Sequence, residues 1–267
     1  MPPSATQDAG AAPMRPGDSY VQSFARGLDV IRSFSGAAPR QTLTEVATRT
    51  GLTRAGARRI LLTLQTLGYV ECEGKSFALT PRILDLGFAY LSSMPMWNLA
   101  EPAMEALADK VKESCSAAVL DGADIVYVLR VPTRKIMKIA LGVGSRLPAY
   151  CTSLGRVLLA GLPDDKVVRH LAAAPLEART RHTITDIDAL LAKVQQARRQ
   201  GWAQVNQELE EGLVSIAAPI TNRGGRVVAA LNVSGQANRT SARQMQEKML
   251  PPLLAAAQAI SRLLGQA

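Results

Sequence analysis

Apolar residues recur at a helical period through the first eighty residues, then at a strand period in several later segments. In "SFARGLDVIRSF", Phe24, Leu28, Ile31 and Phe34 form one stripe and Ser23 stands as a cap, which predicts a first helix. "QTLTEVATRT" opens with Thr42 and carries Glu45 three residues later, the spacing at which each side chain bonds the other's exposed backbone N–H. Gly51 then supplies a turn, Leu52 an apolar plug, and Thr53 a cap for a third helix whose inward residues are Ala57, Ile60, Leu61, Leu64 and Leu67. Past Gly68, "YVEC" and "SFALT" are short strand-like runs joined at "EGK". Three helices and a hairpin predict a winged helix-turn-helix over residues 20–80.

The pattern changes at Pro81. "PRILDLGFAYLSSM" has Ile83, Leu84, Leu86 and Tyr90 on more than one side, which predicts a linker helix over 81–97, buried between elements as a dimer contact would be. A second helix, "NLAEPAMEALADKVKES", leads into the strands "CSAAVLDG" and "DIVYVLRVP", separated by the turn residues Asp121, Gly122 and Asp124. "LVSIAAPIT" and "RVVAALNVSG" flank "NRGG", the plainest hairpin signal in the chain. Helices over 187–200 and from Ser241 would cover that sheet. Residues 98–267 therefore read as a sensor domain like a GAF or PAS sheet, mainly antiparallel and flanked by helices. The whole chain is of the α+β class.

Charge sharpens this division. The 267 residues carry a formal charge of +9, with a pI near 9.8, which favours a polyanionic partner. From Arg15 to Arg82, 10 Lys and Arg face 5 Asp and Glu; from Ile83 onward the numbers are 21 and 16. Both stretches net +5, but the first does so in 68 residues and the second in 185. At 100° per residue, Arg54, Ala55, Arg58 and Arg59 lie opposite the apolar face of the third helix, within its first two turns. The major groove of B-DNA is about 12 Å wide and admits one helix. Arginine's planar fork then bonds guanine O6 and N7 together, or a phosphate. Thr42, Thr53, Gly56 and, in the wing, Lys75 complete the candidate DNA-contacting set.

The remaining composition excludes several classes. Cys72, Cys115 and Cys151 are far apart without C-x-x-C spacing, so neither a disulfide framework nor a thiolate zinc site is expected, and a reducing cytoplasm is the simplest setting. Residues 1–19 are rich in Pro, Ala and Ser with no continuous apolar run, which predicts a disordered tail in place of a secretory signal. No stretch approaches 18 apolar residues, so no membrane partner is expected.

Strand alternation locates a pocket in the second domain. Asn232 and Ser234 share a face with Ala230, while Leu231 and Val233 point to the opposite, oily side, and Ser215 on the partner strand can join the polar group. "RLPAYCTSLGR" places Tyr150, Thr152, Ser153 and Leu154 at a helix N-terminus, where backbone N–H groups attract carboxylates. Arg146 beside it is a candidate carboxylate partner or simply an exposed arginine. For each polar residue taken singly, a satisfied hydroxyl or a helix cap is the bland alternative.

The string "LTEVATRTGLTRAGARRILLTLQTLGYVE" resembles the winged helix-turn-helix of the isocitrate-lyase-regulator (IclR) family of bacterial transcription regulators. "GSRLPAYCTSLGRVLLA" and "GWAQVNQELEEGLVSIAAPITNRGGRVVAALNVSG" resemble its effector-binding domain, and the likeness covers nearly all of the chain after Tyr20. The resemblance implies effector-binding positions at Leu147, Ser153, Leu154, Ser215, Asn232 and Ser234, and a pocket-shaping Glu208. Within the family, "RLPAYCTSLGRVLLA" looks most like regulators of protocatechuate, 4-hydroxybenzoate and β-ketoadipate catabolism, which implies a small aromatic or dicarboxylic acid as effector. Gly56 and Ala57 depart from the family's usual Ser or Thr followed by Val. Either the backbone approaches a phosphate there, or the helix is softened and the arginines alone recognise DNA.

Enzyme motifs are incomplete. "CTSLG" has Cys151 where a nucleophile elbow needs Gly, His170 and His182 lie in stretches read as surface-facing, and no base is evident for Ser153. "GVGSRL" lacks the third glycine of a dinucleotide fingerprint, so no cofactor is expected. Glu208, Glu210 and Glu211 have no His or Cys beside them to make a metal set and read as solvated acids. The expectation is a dimeric or tetrameric cytoplasmic regulator binding operator DNA and a small organic acid, with RNA polymerase a further partner if it activates. A small-molecule enzyme with a basic surface and a nonspecific nucleic-acid-binding protein are the alternatives.

Overall fold

The computed structural model describes residues 20–93, 96–132 and 141–266; the expected tail at 1–19 lies outside them. The chain divides into two compact units between Phe88 and Ala89, not at Pro81.

The first unit contains helices α1 (Gln22–Ser33), α2 (Leu43–Thr50) and α3 (Arg54–Thr66) and a small antiparallel sheet of β1 (Arg40–Thr42), β2 (Val70–Glu73) and β3 (Ser76–Leu79), in the order β1-β3-β2. Val30, Phe34, Val46, Ala57, Leu61, Leu64, Val70 and Phe77 make its core. Helix α1 starts at Gln22, after Val21 and without a side-chain cap, so Ser23 lies inside the helix. Val30 is fully buried while Phe24 is 68% exposed. Six residues at about 100° each turn Phe24 about 120° away from Val30, so the two cannot share one buried face. The capping box is formed: Thr42 N–H donates to Glu45 Oε2 at 2.7 Å and Glu45 N–H to Thr42 Oγ1 at 3.3 Å. These bonds hold the Glu45 carboxyl below its usual range, the backbone bond contributing most. Gly51 closes α2 at φ +66°, a left-handed conformation that a side chain resists. Strand β1 was too short to carry a visible alternation; Arg40 anchors it to Glu73 at 2.7 Å and Glu71 at 3.5 Å.

A 3-10 turn (Pro81–Ile83) leads into α4 (Leu84–Ser92), and α5 (Met96–Val111) follows. Leu84, Leu86, Phe88 and Tyr90 are exposed within the single chain, Leu84 at 70% and Phe88 at 69%, which leaves the burial expected of a dimer contact to a second chain. A helix apolar on all sides can cover only part of itself within one chain.

The second unit is a six-stranded antiparallel sheet in the order β6-β5-β4-β9-β8-β7. Its strands are β4 (Ser114–Asp121), β5 (Asp124–Val131), β6 (Arg146–Pro148), β7 (Ala203–Asn206), β8 (Leu213–Thr221) and β9 (Val227–Gln236). Helices α5 and α9 (Ala242–Gln266) bury one face against Ile216, Leu231 and Val233. Helices α6 (Ser153–Ala160), α7 (Asp164–Ala172) and α8 (Ile187–Gln200) cover the other, where Ala118, Ala217 and Ala230 are small. Strands β6 and β7 and helix α7 were not anticipated. The two strands are three and four residues long, and α7 is short and charged, so none has a long periodic signal.

Candidate functional site

Helix α3 presents Arg54, Ala55, Arg58 and Arg59 on its exposed side, while Ala57, Leu61 and Leu64 are buried. Among the described residues none of these arginines pairs with a carboxylate. Thr53 accepts the Gly56 N–H at 3.1 Å, and Thr42 is held in the capping box, so both hydroxyls orient helices within the unit. A Cβ at Gly56 would stand 3.2 Å from Thr53 Oγ1 and meet nothing else beyond its own helix and chain neighbours within 4 Å, so only the Thr53 cap would have to yield to a side chain there. Lys75 is exposed in the two-residue turn that joins β2 to β3. The N-terminal half of α3 and the wing turn each present exposed cations, as contact with a polyanion requires.

In the second unit the structure brings Leu147, Thr152, Ser153, Leu154, Ser215, Asn232 and Ser234 around one cavity of about 20 Å³. Strand register explains the convergence. Ser234 lies opposite Ser215 on β8 and Ser114 on β4, and Asn232 opposite Ser116. Asn232 Oδ1 accepts the Ser116 backbone N–H at 3.1 Å, so its amide N–H groups are the donors left for the cavity. Ser153 is 1% exposed and its Oγ has no partner among the described residues. Thr152 caps α6 by accepting the Gly155 N–H at 3.1 Å, which leaves the Ser153 and Leu154 N–H groups for an anion at the helix end. Tyr127 borders the same space, and burial pushes its phenol up to about 12, so it remains a donor. Sequence reasoning missed Tyr127 and, outside the cavity lining, Ser116, whose backbone N–H fixes the Asn232 amide. Their alternation within β4 and β5 was the available signal, but a bulge at Ala117/Ala118 interrupts it.

Three candidates lie elsewhere. Arg146 is turned outward onto Asp121 at 2.6 Å and Asp124 at 3.2 Å, because the β4–β5 turn puts two carboxylates beside it. The Tyr150 hydroxyl donates to the Glu177 carbonyl at 2.6 Å, away from the cavity. Glu208 is not a solvated acid: it is buried and receives two bonds from Arg156, at 2.8 and 2.5 Å. Nor does His170 face water fully, since its Nε2 is buried without a partner. Among the described residues no group of His, Cys, Asp and Glu could hold a metal ion, and no helix is long and apolar enough to cross a membrane.

A cationic winged helix-turn-helix joined to a sheet with an internal polar cavity defines a ligand-responsive transcription regulator. The chain belongs to the IclR family: residues 23–74 match the IclR helix-turn-helix domain and residues 88–262 the bacterial transcriptional regulator IclR C-terminal domain. It is 44% identical to the Pca regulon regulatory protein of Pseudomonas putida over 238 residues, 89% of this chain and 82% of that protein. A transcriptional regulator from Rhodococcus sp. RHA1 superposes with a TM-score of 0.82 at 50% identity, covering 92% of this chain and 98% of that one. An IclR homologue from Microbacterium hydrocarbonoxydans, solved with 4-hydroxybenzoate, gives 0.80 at 25% identity over 91% and 98%. The family and these relatives are transcription regulators, not enzymes.

Proposed function

We propose that the chain controls genes for aromatic acid catabolism, of the protocatechuate and β-ketoadipate type, and that its effector is a small aromatic or dicarboxylic acid. The observation that carries this reading is the buried set of unspent donors, Ser153 Oγ and the Asn232 amide, beside the N-terminus of α6. The Pca regulon relative and the homologue solved with 4-hydroxybenzoate support the same class of acid.

The acid's carboxylate bonds the Ser153 and Leu154 N–H groups and the Ser153 hydroxyl, and its ring lies against Leu147 and Leu154. Asn232, Ser215, Ser234 and Tyr127 serve the polar groups at its other end. A cavity of about 20 Å³ has room for roughly one water, so an acid of this size binds a widened arrangement of α6 and the sheet. Binding that favours one arrangement necessarily shifts the population toward it, and the DNA-binding units follow. The exposed apolar residues of α4 are the contact through which two chains pair, in a dimer or tetramer acting in the cytoplasm. Arg54, Ala55, Gly56, Arg58 and Arg59 meet the operator, with Lys75 on the flanking backbone.

Calorimetry with protocatechuate, 4-hydroxybenzoate, β-ketoadipate and unrelated acids tests the reading, on the wild-type chain and on Asn232→Leu. One of the three acids binds, and the substitution abolishes that heat while operator binding without acid reports correct folding. Retained binding by Asn232→Leu overturns the site. Binding confined to unrelated acids overturns the pathway.

A further inference from the structure

Strand β7 stands at one edge of the six-stranded sheet, with β8 on one side only among the described residues. The phase of its ladder is fixed from both sides of β8. Gln207 N–H donates to the Leu213 carbonyl at 2.7 Å, in the register that sets Val205 opposite Ser215 and Ala203 opposite Ala217. Across β8, Ala237 N–H donates to the Gly212 carbonyl at 2.8 Å, in the register that sets Val214 opposite Gly235 and Ile216 opposite Val233. Bonded and unbonded pairs alternate along an antiparallel ladder. Ala203 and Val205 therefore spend their N–H and C=O groups on β8. Those of Gln204 and Asn206 point away from the sheet, without partners among the described residues. Proteins commonly blunt such an edge with charge, proline or a bulge. The opposite edge strand, β6, carries Arg146 and Pro148; β7, "AQVN", is short but has none of the three.

The free edge lies in a cleft of about 410 Å³, lined by Trp202, Gln204 and Asn206, by Lys193 and Gln196 of α8 and by Gln246 of α9. Helix α8 packs on one face of the sheet and α9 on the other, so the cleft is a slot that continues the sheet by one strand. A second copy of the domain would bring its own α8 and α9 against these walls, whereas a single extended chain enters between them. The two sides of the slot differ. Lys193 is exposed and pairs with no carboxylate among the described residues, and Glu208, the one carboxylate lining the cleft, is held by Arg156. On the α9 side, Trp202 is half-buried against the same core as α9. We propose that β7 receives an extended segment of a partner protein as an added strand, with acidic and apolar residues in alternation. Its acidic side chains turn to Lys193 and its apolar ones to Trp202. This surface does not depend on the effector assigned to the acid cavity.

The probe is a short fluorescent peptide of alternating Val and Glu, titrated into the full chain and followed by anisotropy. It binds saturably, while its counterpart of alternating Val and Lys and a form methylated on every backbone amide do not. Asn206→Pro deletes one outward N–H and no ladder bond, a change that an edge strand tolerates, and weakens the Glu peptide about tenfold. Lys193→Glu, at an exposed helix position, weakens it about fivefold and lets the Lys peptide bind, so the test survives misfolding of the first variant. Absence of saturable binding at millimolar Glu peptide overturns the proposal. So does binding that the methylated form matches, or that neither substitution weakens, since the basic helix α3 would then be holding the peptide. Self-association of the chain that Asn206→Pro abolishes overturns it as well, by seating a second copy on this edge.

Discussion

The buried pair of Arg156 and Glu208 is the most exposed point of the energetic account. Glu208→Ala removes both partners of the Arg156 guanidinium termini in one step. The two side chains are 3% and 9% exposed, and Arg156 Nε is already buried without a partner among the described residues. The variant therefore leaves a largely buried cation without its carboxylate, at a cost of about 3–5 kcal/mol. For a domain the size of the second unit, each kcal/mol shifts the melting temperature by about 2–4 °C, so the fall is roughly 6–20 °C. Replacing both residues, as Arg156→Met with Glu208→Leu, removes the unpaired charge along with its partner and returns the unit to within about 1 kcal/mol of the wild type. Urea unfolding followed by tryptophan fluorescence measures this directly. Trp97 and Trp202 are the 2 tryptophans of the chain and both belong to the second unit, so the signal is free of the DNA-binding unit. A loss below about 1 kcal/mol for Glu208→Ala, or a double variant no more stable than Glu208→Ala, would show that no unpaired charge is buried there.

Two further outcomes follow from close packing around the same helix. A Cβ at Gly155 would lie 2.1 Å from the Ala149 carbonyl oxygen and 2.4 Å from its Cα; Gly155→Ala therefore pushes the 149–152 connector off α6. A destabilisation of about 2–3 kcal/mol in urea unfolding is expected, with loss of the acid's heat in calorimetry. Burial pushes the Cys115 thiol up to about 12 and the Cys151 thiol up to about 11, whereas Cys72 is exposed. At pH 8 a thiol of pKa 11 is only about one part in a thousand thiolate, so a disulfide reagent titrates one thiol in the folded chain and three after unfolding. Rapid reaction of a second thiol would show that the cavity wall opens far more readily than its packing implies.

Much of the first unit was legible because its determinants are local. The capping box, the Thr53 cap and the left-handed Gly51 each involve residues within a few positions of one another, and the apolar faces of α2 and α3 follow from the helical period. Helix α1 was legible as a helix but not in its orientation. Which of Phe24 and Val30 turns inward depends on where α2 and α3 stand, and no spacing within α1 carries that. In the second unit, strand alternation correctly separated Asn232 and Ser234 from Leu231 and Val233, since a two-residue period needs no knowledge of the neighbours.

Partners remote in sequence were beyond such rules. Arg146 was assigned to the pocket from its neighbourhood and Glu208 from the family resemblance, and both are claimed by other charges: Arg146 by the β4–β5 turn, Glu208 by an arginine 52 positions away. His170 looked like a polar surface residue, yet its Nε2 is buried. Backbone period and capping, which act over one or two turns, were enough to specify the winged helix-turn-helix, the antiparallel sheet and the cationic end of α3. Which buried polar atoms are spent and which remain to receive a ligand follows from the three-dimensional fold alone, because it depends on strand register and on the single partner each charge finds once water is excluded.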